Sequence, residues 1–209
     1  MAVDNEPEPF WTGDDEEQRV DQWRESVSFR EGWGQVKSCG ELNGSSGVWV
    51  EKNVLGALKI PRSAAWITDC LDTYYESDGA AKRLKSEPIV GLVKHLNIPA
   101  CSHMPHPSES DIVNLAVKDH IHRLLGELSV AQPDMIVTLG NAALRVINKL
   151  AEPGECKLRK LSADDSYGTV RSVRINGRDI DWLPLAHPAA PAVYQEAHKM
   201  WMGRRAATA

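Results

Sequence analysis

The chain has 209 residues, 42% hydrophobic and 25% charged, a globular composition that excludes a disordered or fibrous protein. No apolar run approaches the roughly 18 residues that span a bilayer, and no apolar stretch with a cleavage site follows Met1, so neither a membrane span nor a signal peptide is expected. Four scattered cysteines (Cys39, Cys70, Cys101, Cys156) form no CxxC pair, which argues against a disulfide framework and a zinc ribbon and points to a reducing cytoplasm. The net charge is −5, but seven of the 29 acids lie in residues 1–18, which hold no Lys or Arg. The remainder has 24 basic against 22 acidic residues, too even to argue for or against a nucleic-acid partner. At this length one domain over residues 1–209, with an acidic segment over 1–18, is expected.

In chain order, Glu16–Val27 reads as a short helix. The GSSG run Gly44–Gly47 precedes VWVEKNVLGAL, whose apolar spacing suits a helix with a serine near its N-cap. Ala65–Cys70 (AWITDC) is a candidate buried strand, and Ile89–Leu96 reads as helical. One long helix is expected from Ser108, with Ile112, Leu115, Ala116, Ile121, Leu124, Leu125 and Leu128 as its apolar stripe and Pro133 as its stop. Met135–Gly140 (MIVTLG) reads as a strand ending in glycine, followed by a helix, NAALRVINKLAE. Arg171–Ile175, the Asn176-Gly177 turn and Asp179–Leu185 read as a hairpin, and a last helix runs from about Pro191 to Gly203. Strands alternating with helices predict an α/β fold, a three-layer α/β/α sandwich around a short, mostly parallel central sheet. In such sheets ligands sit where strand ends meet loops: here after AWIT, after MIVTLG and after WLPLA.

Those three places carry a resemblance to the uracil-DNA glycosylase superfamily, most of all its bacterial branch. PDMIVTLGNAALRVINKL resembles the family's segment in which a Leu-Gly turn enters an Ala-rich helix. WLPLAHPAAPAVY resembles its last motif, a strand ending in His-Pro-(Ala/Ser), and AWITDC stands where the family has a strand ending in Thr-Asn. Pro9-Phe10 followed by Gly13 resembles the segment whose aromatic ring stacks on the extruded base. The resemblance implies a monofunctional, monomeric DNA glycosylase that flips a base out of the stack and hydrolyses its N-glycosidic bond, leaving an abasic site, without cofactor or metal.

It further implies a role for each matching residue. His187 would donate a hydrogen bond to the base oxygen as negative charge develops there, a contact strongest in the transition state. Read without the resemblance, His187 is a strand-end histidine capping the following helix through its neighbours. Phe10 would supply the stacking face, or else pin the chain end to the core. Asp69 stands where the family has Asn. An ionised Asp only accepts hydrogen bonds, which suits the 4-amino group of a cytosine-type base and repels uracil O4. Intact cytosine would be a ruinous substrate in a cell's own genome, so a modified cytosine of the phage type, and with it anti-phage defence, is the expectation. Two alternatives stay open for Asp69: a loop cap, or a protonated acid that reads uracil in repair. A third reading is an inactive superfamily member that binds modified nucleic acid or a protein.

Ser45, Ser46 and Gly47 are candidates to cradle a DNA phosphate, and Pro188 and Ala189 are expected beside the DNA. The family's first motif, Gly-(Gln/Glu/Met)-(Asp/Gly/Asn)-Pro, is not found; Asn5-Glu6-Pro7 is a faint echo, leaving Glu6, Asp14 and Asp15 as candidates for activating water. His103 and His106 lack partners at metal-ligand spacing. Cys70 and Cys101 suit two positions of the family's iron-sulfur branch, but its N-terminal cysteine pair is missing, so no cluster is expected.

Overall fold

The computed structural model describes residues 16–33, 45–72, 75, 87–97, 106–153 and 158–207. The helices are α1 (Glu16–Ser26), α2 (Ser45–Val50, a π-helical stretch Glu51–Leu55 and a last turn Gly56–Leu58) and α3 (Glu87–His95). There follow α4 (Glu109–Asp119), α5 (Ile121–Ala131), β1 (Met135–Leu139) and α6 (Gly140–Leu150). The last elements are β2 (Arg171–Ile175), β3 (Arg178–Leu185) and α7 (Ala192–Ala207).

Two compact units divide these residues, one from 45–72 and 108–207, the other from within 11–44 and 73–107. In the smaller unit the chain turns back after α1 at Ser28, with φ +50°, and the Phe29 ring lies 5.8 Å from that of Trp23. A 3-10 turn, Glu31–Trp33, packs on α3, and His95 Nε2 donates to the Val27 carbonyl at 2.9 Å.

The larger unit holds a three-stranded sheet in the order β1-β3-β2. β1 runs parallel to β3 and β2 antiparallel to it. The sheet is therefore mixed, not mostly parallel, because the Asn176-Gly177 turn folds β3 straight back along β2. Both turn residues have positive φ, +51° and +75°, as a two-residue hairpin of type I′ requires. β2 alternates, burying Val173 and Ile175 and exposing Ser172 and Arg174. β3 buries Trp182, Leu183, Pro184 and Leu185 in succession. Successive side chains of a strand point to opposite faces, so this end of β3 is covered on both. β2 pairs only as far as Trp182, so Pro184 lies where β3 has one neighbour and a residue without an N–H is tolerated. α6 packs on β1 and β3, and α4 packs on α6. Leu144, Ile147, Leu150, Val113 and Ala116 join the sheet residues in one apolar cluster. Inside this cluster the indole of the central strand is satisfied, Trp182 Nε1 donating to Thr138 Oγ1 at 3.0 Å.

Three sequence expectations are corrected. Ala65–Cys70 is not a strand: Ala65 is extended, but the segment joins no ladder, and its carbonyls at Asp69 and Cys70 accept from the Arg123 guanidinium instead. The long helix expected from Ser108 is two helices, although Ser108 does cap the first through Asp111 N–H. The break falls at His120 (φ −122°, ψ 2°), whose Nδ1 lies 3.5 Å from the Asp72 carboxylate, a partner that no periodicity reports. GSSG is not a loop ahead of a helix at its last three residues, since α2 begins at Ser45 and takes Ser46 and Gly47 into its first turn.

Candidate functional site

Parallel pairing of β1 with β3 places Leu139 opposite Leu185, so the two strands end together and their loops leave side by side. Gly140 follows one strand and Ala186-His187 the other. Gly140 has φ +87°, and a Cβ there would stand 3.2 Å from the Cβ of His187. A side chain at 140 would press on that histidine and strain the backbone, which is the physical reason for glycine at the end of MIVTLG.

The His187 residue is exposed, on a turn closed by Ala190 N–H donating to its own carbonyl at 2.8 Å. The Ala189 N–H donates to ring Nδ1 at 3.1 Å. An amide can only donate, so Nδ1 is the unprotonated nitrogen and the neutral ring carries its proton on Nε2. The ring caps its own turn, where the simpler reading of a strand-end histidine expects a cap on the following helix. The same bond fixes the tautomer and turns an N–H donor away from the turn.

Asp69 comes to this place from the segment after α2. Arg123, on α5, anchors it: Nη2 donates to the carbonyls of Asp69 at 2.9 Å and Cys70 at 3.2 Å, and Nη1 to Thr68 Oγ1 at 3.1 Å. Nη1 also meets Glu127 Oε1 at 2.5 Å, one helical turn on, where Glu127 keeps 7% of its surface. Although Asp69 as a residue is exposed, its carboxyl is hemmed in enough that desolvation raises its pKa above the usual carboxylate value. The charge of Arg123 pulls it back down, as a protonated His187 also would. His187 thus lies within electrostatic reach of Asp69 and against Gly140. Replacing Arg123 by Gln removes that lowering charge, so the Asp69 pKa should rise further. A carboxyl-carbon NMR titration checks this, and an unchanged or lower midpoint would refute the assignment. Burial and the neighbouring Asp69 push the Cys70 thiol up to about 11, so it is no thiolate nucleophile at neutral pH.

Other expected site residues are placed less closely. Ser46 is exposed and Gly47 buried in the first turn of α2. Pro188 is half-buried, its carbonyl accepting from Gln195 Nε2 at 2.8 Å, and Ala189 is exposed beside the His187 ring. Glu6, Phe10, Asp14 and Asp15 lie outside the described residues, as do the side chain of Ser45 and Cys39, His103, Cys101 and Cys156. His106 is exposed and spends Nδ1–H on the Pro107 carbonyl at 2.9 Å. Among the described residues no three His, Cys, Asp or Glu side chains group as a metal site, and no helix is long and apolar enough to cross a membrane.

Sequence reasoning missed Arg123, the residue that orders the Asp69 segment. The available signal was an Arg and a Glu spaced i, i+4 beside the apolar stripe of α5, a pattern also usual on solvated helix faces. It missed Tyr167 and His198 as well, which no local pattern marks. In comparisons with known proteins, no family model and no curated protein matches the chain.

Proposed function

We propose that the chain is a monofunctional DNA glycosylase. The observation that supports this best is the meeting of Asp69, Gly140 and His187, from three separate motifs, around an imidazole held as a neutral Nε2–H donor. On this reading the fold is the three-layer α/β/α sandwich of the resembling superfamily, acting as a monomer on DNA in the cytoplasm. The target base leaves the duplex and stacks on Phe10, with its edge facing Asp69. The C1′–N bond then breaks with its electron pair going to the base, and His187 Nε2–H hydrogen-bonds the oxygen where that charge gathers. Water adds to C1′ and loses a proton, giving the abasic site; Glu6, Asp14 and Asp15 are the groups assigned to orient it. Gly140 leaves room for the histidine, while Ser45, Ser46, Gly47, Pro188 and Ala189 border the DNA.

The base is assigned as a modified cytosine of the kind phage genomes carry, read by ionised Asp69 through the 4-amino group, and the setting as anti-phage defence. The neighbouring Arg123 charge favours that ionised form. The net upward shift from desolvation favours the second reading, a neutral Asp69 that donates to uracil O4 in repair. pH separates the two. A carboxylate reading a 4-amino group loses activity as pH falls through the Asp69 pKa. A neutral acid reading uracil loses activity as pH rises through it. Single-turnover excision on duplexes carrying uracil, 5-hydroxymethylcytosine or its glucosylated form is the test, with Asp69→Asn moving preference from cytosine-type bases to uracil. Wild type preferring uracil, with that order unchanged in Asp69→Asn, would overturn the cytosine assignment. Binding to such duplexes without abasic product would leave an inactive superfamily member that holds modified nucleic acid.

A further inference from the structure

Ala186, the residue before His187, is buried and lies past the point where β2 stops pairing with β3. Its N–H needs a partner that the sheet does not supply. The Tyr167 hydroxyl accepts it at 2.9 Å. That hydroxyl also lies 2.9 Å from His198 Nδ1, and His198 Nε2 lies 3.0 Å from the Asn53 carbonyl. The proton directions follow from these partners. A carbonyl only accepts, so His198 Nε2 donates to Asn53; Nδ1 of the neutral ring then accepts, and the Tyr167 hydroxyl donates to it. The hydroxyl oxygen, with its lone pairs still free to accept, takes the Ala186 N–H. Each group in the chain of bonds from Ala186 to Asn53 has one role, with no alternative direction.

The surroundings enclose this chain of bonds. His198 keeps 2% of its surface, with its ring centroid 4.6 Å from that of Trp49 and 5.0 Å from that of Trp201. Asn53 belongs to the π-helical stretch of α2, and its side-chain amide donates to the Trp49 carbonyl at 2.9 Å. Single π turns inside α-helices recur at functional places. Tyr167 is fixed on its far side by Arg204 Nη2, which donates to its carbonyl at 3.0 Å. The buried wall so formed, built from α2, α7 and the loop before β2, ends on the Leu185–Ala186 peptide, one residue before His187.

We propose that Tyr167 and His198 are positioning residues for His187, setting through the Ala186 N–H the direction in which the His187 ring leaves the strand. The functional part of this inference rests on His187 being the donor of the proposed glycosylase. The relation itself is read without any activity. Tyr167→Phe removes the hydroxyl and keeps the ring, leaving the Ala186 N–H and His198 Nδ1 without their partner. In histidine-15N-labelled protein, the His187 ring resonances of folded Tyr167→Phe should move and its Nε2–H tautomer lose population. The single-turnover rate should fall about tenfold, with little change in the substrate concentration at half-maximal rate, because orientation is lost and affinity kept. His198→Gln, which keeps an amide donor for Asn53, should shift the same resonances and serves where Tyr167→Phe does not fold. His187 resonances and titration midpoint equal to wild type in a folded variant would overturn the proposal. Moved resonances in a protein that excises none of the three bases would leave the positioning relation standing while the glycosylase reading fails.

Discussion

Gly168→Ala should destabilise the larger unit by about 3 kcal/mol or more, combining a left-handed backbone penalty with overpacking of a buried ring. Gly168 has φ +72°, a conformation that glycine adopts freely and alanine does not. A Cβ there would stand 2.1 Å from Trp201 Cδ1 and 2.6 Å from its Nε1. Trp201 is buried and packs on His198, so the indole has nowhere to withdraw. Because whole domains are stable by only about 5–15 kcal/mol, the loss should be plain in the urea midpoint. Gly177→Ala is the internal control. Gly177 also has positive φ, +75°, but faces open space, so it should lose only about 1 kcal/mol. Equal midpoints for the two variants would show that Trp201 yields, and that the wall behind Ala186 is softer than described above.

His187→Ala should slow single-turnover base excision by about 100- to 1000-fold, the usual consequence of removing one donor to a developing anion. Its effect on folding should be small. The side chain is exposed, and losing the bond from the Ala189 N–H releases an amide in an exposed turn. Binding of substrate duplex should change far less than the rate, since the contact strengthens in the transition state. A rate within threefold of wild type in a folded variant would remove His187 from the chemistry, leaving it as the cap of its own turn.

Much of the local structure was legible before any coordinates. MIVTL is a strand, and the helix after its glycine begins where the apolar spacing changes period. The Asn-Gly pair marks a hairpin because those two residues tolerate the positive φ that a two-residue turn needs, a property of the residues themselves. α1, α3 and α7 begin and end within a few residues of their sequence bounds, for the same reason. The places that misread are those where a distant partner replaces a local rule. AWITDC has strand-forming residues but hands its terminal carbonyls to Arg123 on α5, and the helix after Ser108 breaks where His120 meets Asp72.

The site divides along the same line. Asp69, Gly140 and His187 could each be named from its motif, since a motif is a short run. Their meeting depends on the parallel register of Leu139 with Leu185, and on an arginine from a different helix that holds Asp69 in place. The upward shift of Asp69 is likewise set by burial, working against the charge of Arg123 from another element far along the chain. Tyr167 and His198, 31 residues apart, join only because α7 packs back over the loop before β2. The sequence by itself determined which residue types stand at the strand ends and how each segment prefers to fold, because propensity and periodicity are short-range. Only the tertiary structure decided which strand ends adjoin, which ring nitrogen carries the proton and which carbonyls lie outside any sheet, because pairing, desolvation and hydrogen-bond partners depend on groups that the chain brings together from far apart.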